Sequence, residues 1–246
     1  MGRAHEVRAA SMAKTAAAKS KLNAKWSKLI YMAAKSGLPD PSVNQALKKE
    51  IERAKKEQVT AECIKKAIEK AKGGTGENYE SIRYEGFGPE GSMIIVECLT
   101  DNTNRTLVAV RTALSRCGFN LGVAGSASYQ FHNYAVLAFD NLSEDEALET
   151  LLMADVDVQE YETDEDGVVT ICAPNTDYSK ARDALTDAKP DINFLEDHVT
   201  WIPQTYIKFA DEKHVNQLHR VIDALNEIDD VQDIYHNVEL EEEAEE

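Results

Sequence analysis

The chain is poor in several things, and each shortage removes a class of function. No apolar run of its 246 residues approaches the ~18 residues of a membrane-spanning helix. A membrane partner is therefore not expected. The opening stretch, MGRAHEVRAASMAK, carries basic residues but no hydrophobic signal segment, so a soluble, unexported, cytoplasmic protein is expected. Cysteine is scarce: Cys63, Cys98, Cys117 and Cys172 lie far apart, without a C-x-x-C spacing. That pattern suits reduced structural thiols better than disulfides or a zinc site. Acid is nearly missing from residues 1–35, where Glu6 stands alone against eight Lys/Arg.

What is present is a sharp division of charge. Residues 1–72 hold 17 Lys/Arg against 7 Asp/Glu, while the other 174 residues hold 10 against 37. A chain of net charge −17 thus carries a head of +10 on a body of −27. A basic segment on an acidic protein is an electrostatic footprint for a polyanion, and the acidic remainder weakens indiscriminate sticking.

The head reads as three helices. Ser11 to Ser36 contains no Gly or Pro, and Trp26, Leu29, Ile30, Ala33 and Ala34 recur at helical spacing before Gly37. Asp40 as a cap and Pro41 as an opener predict a second helix with the stripe Val43, Ala46, Leu47, Ile51 and Ala54. A third begins at Thr60 and stops at Gly73-Gly74. At about 100° per residue, Lys14, Lys21, Lys25, Lys28 and Lys35 fall on one side, roughly opposite the apolar stripe. Arg3 and Arg8 precede them. With so few acids interspersed, these seven are the candidate nucleic-acid-binding residues rather than an ordinary solvated face.

Beyond the glycines the period changes. Ile82 and Tyr84 alternate, Met93 to Val96 is a continuous apolar run, Leu107, Val110, Leu114 and Cys117 mark a helix, and Tyr129 and Phe131 alternate on a further strand. From Asn133 the order becomes strand at Val136 to Phe139, helix after Ser143, strands at 156–162 and 168–173, helix from Tyr178 to Asp187, and strand at 192–201. This β-α-β-β-α-β order is that of the ferredoxin-like fold. Tyr206 to Phe209, a helix through Val215, Leu218, Ile222 and Leu225, and Val231 to Val238 give another β-α-β, completing the interrupted first sheet. The expected fold class is α+β with three domains: a basic helical domain at 1–74, a discontinuous α+β domain at 79–132 plus 204–240, and an inserted ferredoxin-like domain at 133–203.

Apparent catalytic motifs dissolve. Gly86, Gly88 and Gly91 spell G-x-G-x-x-G, but Pro89 lies inside and a strand follows, so a hairpin turn explains them. Gly118, Gly122 and Gly125 lack the Lys-Ser/Thr of a phosphate loop. His214 and His219 are five apart on one helix and His236 lies on a strand, so no histidine pair has metal spacing. No catalytic residue, metal or cofactor is expected, and no enzyme.

Four segments carry a resemblance: Tyr84-Glu85-Gly86-Phe87-Gly88-Pro89; LTDNTNRT at 99–106; Cys117 to Gly122 with Gly125-Ser126; and DDVQDIYHN at 229–237. From about Ala33 to Val238 the chain resembles the YebC family. Its members carry the name probable transcriptional regulatory protein, and it includes the mitochondrial translational activator of cytochrome c oxidase. Many members begin with Gly-His-Ser-Lys-Trp, which is absent here, so residues 1–25 resemble a divergent subgroup. The resemblance implies three domains, the third inserted in the second, and a non-enzymatic cytoplasmic protein that binds promoter DNA or acts on the ribosome.

Lysines on a helix face neutralise phosphates without reading bases. The preferred expectation is therefore an RNA-binding translation factor, a monomer docked on rRNA of the large ribosomal subunit, easing elongation stalls. A DNA-binding transcriptional regulator would need base-reading residues, for which the second helix offers Asn44, Gln45 and Arg53. An acidic protein-interaction module would show no polyanion affinity. Asn102, Arg105, Asn120 and Ser126, in the family-specific loops, are candidate partner contacts.

Overall fold

The structure is a computed structural model that describes residues 20–73 and 78–240. The chain divides into two compact units: one reaches Ala124 and takes back Phe209–Ile234, and the other comprises Gly125–Lys208 with the segment from Tyr235.

The first unit contains the helical head. Helix α1 is described over 20–35; the earlier part of the expected first helix lies outside the described residues. Helices α2 (Gln45–Lys56) and α3 (Ala61–Lys72) follow. Trp26, Ile30 and Ala34 of α1 meet Leu47, Ile51 and Ala54 of α2 and Ile64 and Ala67 of α3 in one core. Three amphipathic stripes thus cover one another, as the 3.6-residue period requires. Thr60, the expected start of the third helix, is its N-cap, the hydroxyl accepting from Cys63 N. The second helix starts later than expected. Asp40 binds the main chain and hydroxyl of Ser42 in a local turn, and the N-cap is Asn44, which accepts from Leu47 N.

The same unit holds an antiparallel sheet in the order β3-β1-β2-β8. Its strands are β1 (Glu80–Phe87), β2 (Met93–Thr100), β3 (Asn120–Leu121) and β8 (Val231–His236), with α4 (Thr103–Arg116) and α7 (Glu212–Asn226) as its helices. The expected hairpin turn is there. Gly88 N–H donates to Ser92 O at 2.8 Å, and a Cβ at Gly88 would come within 2.2 Å of the Phe119 ring. Only glycine fits that approach.

The second sheet has the order β5-β6-β4-β7, built from β4 (Phe131–Phe139), β5 (Glu160–Thr163), β6 (Val169–Pro174) and β7 (Phe194–Pro203). Helices α5 (Glu144–Met153) and α6 (Tyr178–Ala188) lie between its strands in sequence, giving the ferredoxin-like β-α-β-β-α-β order. Leu137, Phe139, Ile171 and Phe194 pack with Ala147 and Leu151 of α5 and Ala181 and Leu185 of α6. The chain leaves the first sheet after β3, builds the second, and returns for α7 and β8.

Two strand readings change. Tyr129 lies in a single turn of 3₁₀-helix, and Phe131 opens β4, so the two strands read around 129–139 are one. The partner of β1 at that edge is the two-residue β3, too short to show an alternation. The segment read as a strand at Tyr206 to Phe209 makes only a bridge from Ile207 to Val238.

Candidate nucleic-acid interface

Four of the seven candidate basic residues are described. Arg3, Arg8 and Lys14 lie outside the described residues. Lys21 is exposed at the start of α1 and lines a cleft of about 280 Å³ with Leu22, Lys25, Asn226 and Gln232. Lys35 is exposed and sits over the Tyr31 ring at 5.3 Å.

Lys25 and Lys28 are not part of a free solvent face. Lys25 Nζ donates to Asp233 Oδ1 at 2.6 Å and to Gln232 O at 2.9 Å. Lys28, with only 14% of its side chain exposed, donates to Asp230 Oδ1 at 2.9 Å, Asp229 O at 2.9 Å and Leu99 O at 3.3 Å. The helical wheel placed them opposite the head's own core correctly. That side of α1 is turned to the acidic start of β8, a long-range contact that no local period reveals.

Asp230 is the centre of this arrangement. Its Oδ2 accepts from Arg105 Nη2 at 2.7 Å, Thr106 Oγ1 at 2.8 Å and Thr100 Oγ1 at 3.1 Å. Its main-chain oxygen accepts from Leu99 N at 2.8 Å. Burial by itself would raise the carboxyl, but hydrogen bonds from Arg105, Lys28 and Thr106, aided by the Lys28 charge, outweigh it and hold Asp230 down at about 2. Burial first, then the charges of Asp230 and Glu97, push the nearby Cys98 thiol up to about 12. A thiol so poor in thiolate is no nucleophile.

Two of the family-specific segments, 99–106 and 229–237, therefore meet in one polar cluster. Asn102 is the N-cap of α4, accepting from Arg105 N at 3.0 Å, and Arg105 also pairs with Asp101 at 2.9 Å. These two candidate partner contacts build the fold, though the Arg105 side chain remains 55% exposed. Asn120 is exposed on β3 opposite Phe87. Ser126 is half-buried in the other unit.

The proposed base readers fare unevenly. Asn44 is buried, donating to Ala33 O and Leu38 O at 2.9 Å each. Arg53 pairs with Glu50 at 3.1 Å and lies 5.7 Å over the Trp26 ring. Gln45 alone is exposed.

Sequence reasoning missed a basic rim on α2 and α3. A groove of about 450 Å³ is lined by the apolar Pro39, Pro41, Ile51, Ile64 and Ile68 and by Lys55, Lys65 and Lys72 together with the acids Asp40 and Glu69. Hydrogen bonds from Ser42, helped by the Lys72 charge, lower the Asp40 carboxyl. Lys48 is exposed nearby in sequence on α2. Lys65 reaches Glu69 at 4.0 Å, whereas Lys48, Lys55 and Lys72 have no salt bridge among the described residues. Their signal was in the sequence: Lys48 and Lys55 are seven apart, hence on one face of α2.

No group of three or more His, Cys, Asp or Glu side chains suited to a metal ion occurs among the described residues. No described helix is long and apolar enough to cross a membrane.

Residues 3–74 match the family described as TACO1/YebC protein N-terminal domain, and residues 79–238 match TACO1/YebC second and third domain. The match reaches thirty residues nearer the N-terminus than the motifs alone carried it. A probable transcriptional regulatory protein of Acholeplasma laidlawii is 54% identical over 97% of this chain and 98% of its own length. One from Pseudoalteromonas translucida is 51% identical over 96% of this chain and 98% of its own. The crystal structure of a conserved hypothetical protein from Aquifex aeolicus superposes with a TM-score of 0.72 at 31% identity, covering 92% of this chain and 93% of that one. Full-length identity, both matched domains and the shared fold agree: this chain belongs to the TACO1/YebC family.

Proposed function

We propose that this protein is a non-enzymatic, nucleic-acid-binding regulator of gene expression, a cytoplasmic monomer that docks on structured RNA of the large ribosomal subunit and eases elongation stalls. The carrying observation is the basic rim of the head, where Lys48, Lys55 and Lys72 stand without salt-bridge partners among the described residues. Residues 20–73 hold thirteen Lys/Arg against six Asp/Glu, a local excess of seven on an acidic chain. Such lysines bind phosphates by charge, which suits recognition of RNA shape. The absorption of Asn44 and Arg53 into caps, ion pairs and ring contacts favours this over base readout. The name shared by the relatives favours a second reading, a DNA-binding transcriptional regulator.

The test is the triple variant Lys48→Glu, Lys55→Glu, Lys72→Glu in the full chain. It should lose affinity for all structured RNAs alike and flatten the salt dependence by about 0.7–0.9 in log-log slope per lost phosphate contact. Wild type should co-sediment with large ribosomal subunits at low salt and leave them at high salt. Footprints confined to a few promoters, with ribosome pausing unaltered on deletion, would install the DNA-binding reading.

A further inference from the structure

The acidic second unit ends its sheet at β5, and among the described residues no strand pairs with the outer side of β5. On its inner side the register with β6 is Glu160 opposite Cys172, Tyr161 opposite Ile171, Glu162 opposite Thr170 and Thr163 opposite Val169. Asp164 N–H donates to Val168 O at 3.0 Å and Gln159 N–H to Cys172 O at 2.9 Å. Antiparallel ladders alternate, so the main-chain groups of Glu160 and Glu162 point inward and those of Tyr161 and Thr163 point outward. All four residues are exposed.

The two faces of this edge differ in chemistry. Ile171 and Val169 belong to the core under the helices, so Tyr161 and Thr163, opposite them, lie on the helical side. Thr163 Oγ1 donates to the Glu144 carboxylate at the start of α5. Glu144 therefore lies beside the end of β5, and Leu148 and Leu152 follow it at i+4 and i+8 along the same row of α5. Tyr161 is 55% exposed and Leu152 77%. On the opposite face lie Glu160 and Glu162, followed by the turn acids Asp164, Glu165 and Asp166. The helical side of the free edge thus presents the Tyr161 ring next to the Thr163–Glu144 pair, whereas both β5 side chains on the other side are anionic.

We propose that β5 is a strand-addition site for an extended basic segment of a partner protein, one that alternates apolar and Lys/Arg residues. An added strand would bond to the N–H and C=O groups of Tyr161 and Thr163. Its apolar side chains would enter the furrow between β5 and α5, and its alternate cations would face Glu160 and Glu162. Charge complementarity selects this occupant. A second β5, or the acidic run at 241–246, would meet like charge, the device by which natural edges avoid self-pairing. The proposal stands apart from RNA binding by the head.

The probe is an acetylated heptapeptide of alternating lysine and valine, titrated into the isotope-labelled full chain and followed by amide chemical shifts. Saturable shifts should centre on Tyr161, Thr163, Leu148 and Leu152. The same peptide methylated on its strand-facing nitrogens should bind roughly tenfold more weakly, the loss of about one net hydrogen bond. Tyr161→Pro, which removes an outward N–H and leaves the β6 ladder its donors, should do likewise. Tyr161→Val should retain binding, and Glu160→Gln with Glu162→Gln should weaken it and flatten its salt dependence. Equal binding of the methylated peptide, shifts scattered over the acidic surface, or concentration-dependent self-association through β5 would each overturn the assignment.

Discussion

Each compact unit buries one aspartate against an arginine, and the two sites differ in what they join. In the second unit, Asp197 of β7 accepts from Arg182 Nε at 2.7 Å and from Tyr178 OH at 2.6 Å, both on α6. It fastens one helix to one strand. In the first unit, Asp230 gathers Lys28 of α1, Thr100 at the end of β2, and Arg105 and Thr106 of α4. It joins the helical head to the sheet. The lesson is that a family-specific motif can be spent on assembly: Asn102 and Arg105 of 99–106 read as partner contacts in the sequence, and with Asp230 of 229–237 they act as a clasp in the structure.

The comparison breaks hardest at the aspartates themselves. Asp230→Ala leaves Lys28 and Arg105 beside each other without their shared anion, and should cost about 3–5 kcal/mol, the usual penalty for removing one partner of a buried pair. Asp197→Ala should cost less, about 2–3 kcal/mol, because Arg182 keeps its place 5.5 Å over the Phe194 ring. Thermal denaturation of the two variants checks the order. Equal losses would mean that the wider network of Asp230 adds nothing.

Acid supplies the next test. Asp230 has a folded-state value near 2, below its unfolded range, so its contribution is complete above about pH 4 and is lost as pH falls through about 2. A displacement of that size corresponds to about 2 kcal/mol. Chemical denaturation between pH 5 and pH 2 should show the wild type losing that much more than Asp230→Asn, which has no carboxyl to protonate. Parallel curves would remove Asp230 from the acid response.

Much of the fold was legible because it is local or periodic. The stripe of α1, the start of α3 at Thr60, the hairpin at Gly86 to Gly91 and the β-α-β-β-α-β order all follow from local spacing and turn residues. β3 escaped because two residues cannot alternate, and α2 began late because Asn44 caps better in context than Asp40. The candidate interface was only half legible. Periodicity put Lys25 and Lys28 on the correct side of α1, but their acid partners lie some two hundred residues away, and charge counting by segment cannot see a pair formed across the chain.

The smallest effect sharpens the comparison within α1. Lys25 and Lys28 are one turn apart and both meet acids of the β8 segment, yet their surroundings differ. The Lys25–Asp233 pair keeps side-chain exposures of 29% and 45%, against 14% and 8% for Lys28–Asp230. Water screens the first pair and competes for its hydrogen bonds, so a double-mutant cycle on Lys25 and Asp233 should yield a coupling below about 1 kcal/mol. The cycle on Lys28 and Asp230 should give about 2–3 kcal/mol, because each group left alone there is a buried charge. Were the two couplings equal, burial would not be what separates a clasp from a surface contact, and Lys25 would belong with Lys28 in holding the head to its sheet. If they differ as expected, Lys25 can leave Asp233 at little cost, which makes it, with Lys21 beside it on the same cleft, available to a phosphate in a way that Lys28 is not.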